Sequence, residues 1–100
     1  MQTIRKSKVI TDNYTVTDTD GKIFVNTNND ITVTFPTLTY DNDVYVKNLG
    51  TSTTTIAKTN GIPVVTRSGR KIDGENTVTL SENTCLLLSY VKDLDKYFII

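Results

Sequence analysis

The 100-residue chain contains no histidine, no tryptophan and a single cysteine, Cys85. Without histidine it lacks the side chain whose ordinary pKa suits proton transfer near neutral pH and which is the commonest metal ligand. Ser-His and Cys-His nucleophilic centres are therefore excluded, and one cysteine can form neither an internal disulfide nor a thiolate zinc site. Cys85 precedes three leucines, so we interpret it as a small buried apolar residue. The composition indicates a protein that is not an enzyme and that holds no cofactor.

An excess of charge and a long apolar run are also missing. Eleven basic and eleven acidic residues give a formal net charge of zero, which argues against nucleic-acid binding through phosphate neutralisation. No segment approaches the roughly 20 apolar residues that cross a bilayer. The N-terminal basic residues are not followed by the apolar stretch of a signal peptide. We therefore expect no membrane insertion, and synthesis in a cytoplasm.

Good helix formers are scarce, with one alanine and two glutamates, whereas Thr, Val, Ile, Asn and Asp are abundant. β-Branched residues favour strands because their stiff side chains pack well on a pleated surface. Asn, Asp and Gly favour turns. Turn signals about every eight to twelve residues separate roughly eight to ten short strands. This spacing predicts an all-β protein, an antiparallel β-sandwich of jelly-roll type.

Particular strands and turns can be located from the sequence. Residues 31–35 alternate apolar side chains with threonine, the period of a half-buried strand, and Pro36 ends that strand because it cannot donate to the ladder. Residues 18–21 and 60–61 predict hairpin turns, since Asp, Asn and Gly tolerate the required backbone geometry. The acidic residues at 93–95 predict a last turn.

The strand predicted at 85–91 is apolar on both faces. One face carries Cys85, Leu87 and Val91, and the other carries Leu86, Leu88 and Tyr90. A two-layer sandwich covers only one face of each sheet, so the second face needs another cover. Loops could provide it. Alternatively the strand lies at the subunit interface of a homotrimer, formed by Leu86, Leu88 and Tyr90 or by Cys85 and Leu87.

Residues 1–12 precede the regular alternation and form an N-terminal arm, with the β domain at 13–100. The arm mixes apolar with basic side chains: Ile4, Arg5, Lys6, Lys8, Val9 and Ile10. Such a segment can add a strand to a partner's sheet edge, with its cations meeting an acidic surface. The alternative is that it forms the first strand of the domain itself.

Three groups of acidic residues are candidates for a metal site or a catalytic site. Asp18 with Asp20, and Asp41 with Asp43, resemble fragments of calcium loops, but the later oxygen ligands and the bidentate glutamate are missing. We interpret them as turn residues. The acids at 73–75 are the nearest candidates for glycoside hydrolysis, yet their Asp-Gly-Glu sequence is typical of a tight turn.

Two further groups could bind ligands. Arg67 and Arg70 could hold a phosphate or carboxylate through their guanidinium groups, although a solvated loop explains them more simply. Tyr40 and Tyr45 flank a turn and could contribute to a sugar-binding patch. Packing in the core and at its rim accounts for these tyrosines more simply.

The order of the strand and turn segments resembles a β module that recurs in bacteriophage fibre and head-appendage proteins. The segments that carry the resemblance are 14–25, 30–36, 44–50, 72–74, 77–80 and 97–100. The resemblance implies a virion structural protein with a β-sandwich fold, usually trimeric. The closing strand departs from it, since such modules often carry a tryptophan there and this chain has Tyr97 and Phe98.

Among virion roles, a tail fibre needs a shaft of repeats or coiled-coil heptads, and neither occurs in this sequence. We therefore expect a small capsid appendage, a head fibre or a decoration protein, made in the bacterial host and docked on the capsid by residues 1–12. The alternative is the tip domain of a tail fibre that binds a receptor or a host surface glycan.

The sequence makes a direct prediction about chemistry. A dialysed sample should contain no stoichiometric zinc, and it should release no reducing ends from a panel of polysaccharides. Elemental analysis and a reducing-sugar assay check the two expectations. Zinc at one ion per chain would show that a metal site had been overlooked.

Overall fold

The computed structural model describes residues 6–58, 64–66 and 77–99, and over these ranges the protein is all-β, with ten strands and no helix. The strands are β1 (Lys6–Ile10), β2 (Tyr14–Thr15), β3 (Asp20–Val25), β4 (Ile31–Phe35), β5 (Asn42–Asn48), β6 (Thr54–Lys58), β7 (Val64–Thr66), β8 (Thr77–Leu80), β9 (Cys85–Val91) and β10 (Lys96–Ile99). Sheet A has the order β1-β3-β5-β9-β10-β7, and sheet B has the order β2-β4-β6-β8. The predicted all-β class is confirmed.

Strand directions are mixed, so the expected antiparallel pairing holds for only part of the fold. β1, β3 and β5 pair in parallel in sheet A, and β2, β4 and β6 pair in parallel in sheet B. β7 also lies parallel to β10. Antiparallel pairs join β5 to β9, β9 to β10 and β6 to β8. The first six strands alternate between the sheets, so the chain winds around the core in three successive coils.

The turn predicted at residues 18–21 is not a hairpin turn. β2 before it lies in sheet B, whereas β3 after it lies in sheet A. Asp20 is already in β3, and its buried carboxylate accepts hydrogen bonds from the Thr17 amide at 2.8 Å and the Tyr14 hydroxyl at 2.7 Å. Buried carboxylates need such donors. These bonds shape a crossover from one sheet to the other.

The predictions for the turn at 93–95 and for the strand at 31–35 are confirmed. The turn at 93–95 does connect an antiparallel hairpin, β9 to β10, and Asp95 adopts a positive φ of 51°. β4 ends at Phe35, directly before Pro36, and its side chains alternate between buried and half-buried positions as predicted. The turn predicted at 60–61 lies outside the described residues.

The two sheets enclose one hydrophobic core, and aromatic rings join them. Tyr97 of β10 packs edge-to-face on Phe35 of β4, with 5.1 Å between ring centroids, and lies 4.7 Å from the ring of Tyr90 in β9. Such pairs contribute about 0.5–1.5 kcal/mol beyond the burial of area. The Tyr97 hydroxyl donates to the Pro36 carbonyl, which satisfies its only polar atom. Because Phe35 is in sheet B and Tyr97 in sheet A, this contact fixes the sheets against each other.

A buried asparagine holds the far end of β5. Asn48 is fully buried, and its side-chain amide donates to the carbonyls of Ser52 and Leu80 at 2.6 and 3.0 Å. Its side-chain oxygen accepts from the Gly50 amide at 3.0 Å. A methyl group at Gly50 would overlap the Thr27 carbonyl, so only glycine fits at this crossing. Asn48 thereby ties sheet A to the end of β8 in sheet B.

Replacing Asn48 by alanine should lower the free energy of unfolding by about 3 kcal/mol, because it leaves buried backbone groups without partners. Urea denaturation followed by far-UV circular dichroism measures the change. The exposed Asn29 offers a matched control, since its replacement by alanine should change stability by less than about 0.5 kcal/mol. Equal effects of the two substitutions would contradict the role given to Asn48.

Candidate functional site

The outward side of sheet A is the main apolar surface among the described residues. We call it the outer face. Tyr45 and Leu87 lie directly opposite each other on β5 and β9, and Phe24 lies on β3. Tyr45 is 44% exposed and Leu49, just beyond β5, is 47% exposed. Large apolar side chains gathered on one face mark a surface suited to interaction.

The predicted trimer interface is divided by the structure between the two sides of β9. Leu88 and Tyr90 are buried in the core, and Leu86 packs against it. Sheet B therefore covers this face, and these three side chains stabilise the monomer. Leu87 lies on the opposite side of β9. Cys85 does so too, and it is exposed, so the expectation that it is buried is wrong.

The outer face contains a shallow cavity of about 490 Å³. It is lined by Lys22, Ile23, Phe24, Tyr45, Lys47, Leu49 and Cys85. Its lining combines aromatic and aliphatic side chains with two lysines. Lys47 donates from Nζ to the Asn83 carbonyl at 2.9 Å, which anchors its ammonium group next to the face. The cavity suits an apolar side chain accompanied by a carboxylate.

The second half of the N-terminal arm is part of the domain. β1 pairs with β3 through bonds that include the Lys6 amide to the Thr19 carbonyl, 2.8 Å, and the Asn26 amide to the Ile10 carbonyl, 2.9 Å. Ile10 is buried in the core. The first-strand alternative therefore describes residues 6–10. Ile4 and Arg5 lie outside the described residues.

β1 is nevertheless an edge strand of sheet A, since none of the described strands pairs with its other side. In a parallel pair, alternate residues direct their backbone groups to the neighbouring strand. Lys6 and Ile10 face β3 in this way, so Ser7 and Val9 direct theirs away from it. The Val9 side chain is 62% exposed. Lys8 Nζ lies 5.6 Å from the ring centroid of Tyr14, within the range of a cation–π contact.

The acidic residues considered as calcium ligands bind their own chain. Asp18 accepts from the Thr39 amide and hydroxyl, both at 2.7 Å. Asp41 accepts from the Lys92 amide at 2.7 Å, and Asp43 accepts from the Ser89 hydroxyl at 2.6 Å. Within the described ranges no three metal-ligating side chains come together. Asp18 lies in a turn as predicted, whereas Asp20 and Asp43 lie in β3 and β5, so the interpretation as turn residues is wrong for these two.

The remaining candidates for ligand binding or catalysis are the surface tyrosines, the two arginines and the acids at 73–75. Tyr40 is 55% exposed and Tyr45 is also on the surface, so neither tyrosine lies in the core, and of the packing explanation only a position at the rim fits them. An open groove of about 500 Å³ lies near the start of β5 and the end of β9 and is lined by Asp41, Asn42, Asp43, Ser89, Tyr90 and Val91. Arg67, Arg70 and the acids at 73–75 lie outside the described residues.

Three tyrosines have shifted ionisation. Burial, followed by the hydrogen bond to Asp20, raises the pKa of Tyr14 from 10.0 to about 12. Burial, followed by the hydrogen bond to Asp95, raises the pKa of Tyr90 to about 12. Burial and the neighbouring Tyr90 raise the pKa of Tyr97 further. The Asp20 and Asp95 carboxylates each accept a hydrogen bond from a tyrosine hydroxyl. Tyrosinate has no proton to donate, so each bond favours the neutral phenol.

These shifts predict a loss of stability in alkali. Below pH 10 the tyrosines are neutral in both the folded and the unfolded state, and they add no pH dependence. Between pH 10 and about 12 the unfolded chain loses tyrosine protons that the folded chain keeps, so the free energy of unfolding should fall. Urea midpoints measured across this range check the expectation. Constant midpoints, or tyrosinate absorbance that rises fully at the ordinary pKa in the folded protein, would contradict it.

No protein-family model, curated protein or solved structure matches the chain. The described part of the chain contains no helix that could span a bilayer.

Proposed function

We propose that this chain is a bacteriophage virion structural protein, a small capsid appendage of the head-fibre or decoration type, with a β-sandwich fold. It docks on the particle through its N-terminal segment. The observation that carries the proposal is the open edge of β1, where Ser7 and Val9 direct their backbone groups away from β3. The phage-like order of strand and turn segments supplies the virion setting.

The chemistry of β1 supports docking by strand addition. An exposed edge offers backbone donors and acceptors to an extended segment of a partner, and its side chains provide specificity. Proteins usually protect such edges with charge. Here Lys6 and Lys8 are exposed, so the edge disfavours a second copy of itself and favours an acidic partner strand. A capsid protein that presents such a strand would bind β1.

The groove beside Asp41 and Asp43 favours a second candidate, a glycan-binding tip domain. It offers carboxylates, Asn42 and the Ser89 hydroxyl, groups that can hydrogen-bond sugar hydroxyls, and Tyr40 is exposed close by in the chain. A glycan array distinguishes the two functions. A capsid appendage should show no sugar preference, whereas reproducible binding to one class of glycan would favour the tip domain.

Substitution of Val9 by proline tests the docking edge. Because the Val9 amide faces away from β3, proline removes a donor that the domain does not use, and edge positions tolerate proline. The variant should melt cooperatively within a few degrees of the wild type but no longer copurify with virions. Immunoblots of purified particles, assembled in a host that supplies the variant, measure incorporation.

Val9→Thr provides the matched control, since it retains the amide and should be incorporated normally. Lys6→Glu with Lys8→Glu should also reduce incorporation while leaving the backbone intact, which keeps the test valid if the proline variant folds poorly. Wild-type protein that is absent from purified virions would refute the proposal.

A further inference from the structure

The outer side of β5 presents an acid, an aromatic ring and a base in order. Asp43, Tyr45 and Lys47 occupy alternate positions of the strand, so their side chains point to the same side of sheet A. Alternate residues are about 6.5–7 Å apart along a strand. Asp43 and Lys47 therefore lie at equal distances on either side of Tyr45. Reversing the strand direction exchanges the positions of the two charges.

We infer that the outer face binds a second copy of this chain about a two-fold axis. The axis lies between the two facing sheets, level with Tyr45, and runs perpendicular to the strands. Stacked sheets pack about 10 Å apart. In this arrangement β5 of each copy runs antiparallel to β5 of the other. Asp43 of each copy then faces Lys47 of the other, and the two tyrosines meet at the axis.

Both charged groups keep unused hydrogen-bonding capacity. Asp43 accepts one bond from Ser89, and a carboxylate has two oxygens with about four acceptor sites. Lys47 Nζ donates one bond to the Asn83 carbonyl, and an ammonium group has three donors. Each side chain can therefore join a cross-subunit ion pair without giving up its present contact.

Apolar contact provides the driving force for this pairing. Leu87 lies opposite Tyr45 on β9, and Phe24 lies opposite Lys47 on β3. Removing these side chains from water favours association, while the charges set the orientation. A parallel arrangement of the two β5 strands would place Asp43 against Asp43 and Lys47 against Lys47. The order of charges therefore selects the antiparallel, two-fold arrangement.

The same order distinguishes two-fold from three-fold assembly. A two-fold interface uses one self-complementary patch on both subunits, whereas a three-fold ring joins two different patches. Positions 43 and 47 of β5 are self-complementary in charge about this axis, whereas Lys22, which lies opposite Tyr45 on β3, meets its own copy there. Of the two sets of side chains predicted at a three-fold axis, Leu88 and Tyr90 are buried in the core of each monomer, whereas Cys85 and Leu87 lie on the outer face. A dimer thus fits the exposed surface better than a trimer.

Charge reversal tests the arrangement. Sedimentation equilibrium of the wild type at tens of micromolar should give twice the chain mass of 11.2 kDa. Asp43→Lys or Lys47→Asp alone creates two like-charge contacts per dimer, and each should raise the dissociation constant on the order of tenfold or more. The D43K/K47D double variant should recover the dimer. An equimolar mixture of the two single variants should recover it as well, because each lysine at 43 then faces an aspartate at 47.

The mixture shows that the two charged faces meet, because every lysine of one variant then faces an aspartate of the other in either strand direction. The single and double variants together show that position 43 faces position 47, since in a parallel arrangement a single reversal would only exchange one like-charge pair for another. Asp93→Lys in the turn after β9 provides a control of equal charge change, and it should leave the mass unchanged. Melting curves should confirm that all variants fold. A monomeric wild type, a three-chain mass or a mixture that stays monomeric would overturn the two-fold inference. None of these outcomes bears on whether the protein is found in virions, so the proposed function is tested separately.

Discussion

Tyr97 makes the contact on which the rest of the structure depends. Its buried ring lies between Phe35 of sheet B and Tyr90 of sheet A, and its hydroxyl donates to the Pro36 carbonyl. This contact fixes which side of β10 faces inward. Because Tyr97 is paired in register with Tyr90 on β9, it also fixes the inward side of β9. The opposite side of sheet A then becomes the surface that remains available to a partner.

The sequence predicted individual strands well and their pairing poorly, for a physical reason. Alternation within residues 31–35 depends only on local periodicity, and that strand formed as expected. Pairing depends on partners far apart in sequence, such as Lys22 with Tyr45 or Ile31 with Thr54. A turn that contains Asp and Gly can lead back into the same sheet or across to the other one. Whether it returns to the same sheet or crosses to the other is decided by burial of residues such as Asp20, which the turn pattern does not reveal.

The candidate site was predictable in part. Apolar side chains on both faces of residues 85–91 indicated that one face would need a cover outside the usual two layers. Which face this was could not be deduced, since Leu86 and Leu87 are chemically equivalent and only the register with Tyr97 separates their environments. Cys85 was expected to be buried because leucines follow it. It is exposed because it begins β9 on the outer side, opposite Lys47.

The two proposed surfaces belong to the same sheet but do not compete. The open edge of β1 runs along the side of sheet A, whereas the outer face is its broad surface. Pairing of two outer faces about an axis across the strands would leave both β1 edges free and place them on the same side of the dimer. A dimer would then carry two docking strands of opposite direction, and binding of the first would raise the effective concentration of the second. Weak strand addition by a short edge could in this way give stable attachment to a repetitive surface such as a capsid.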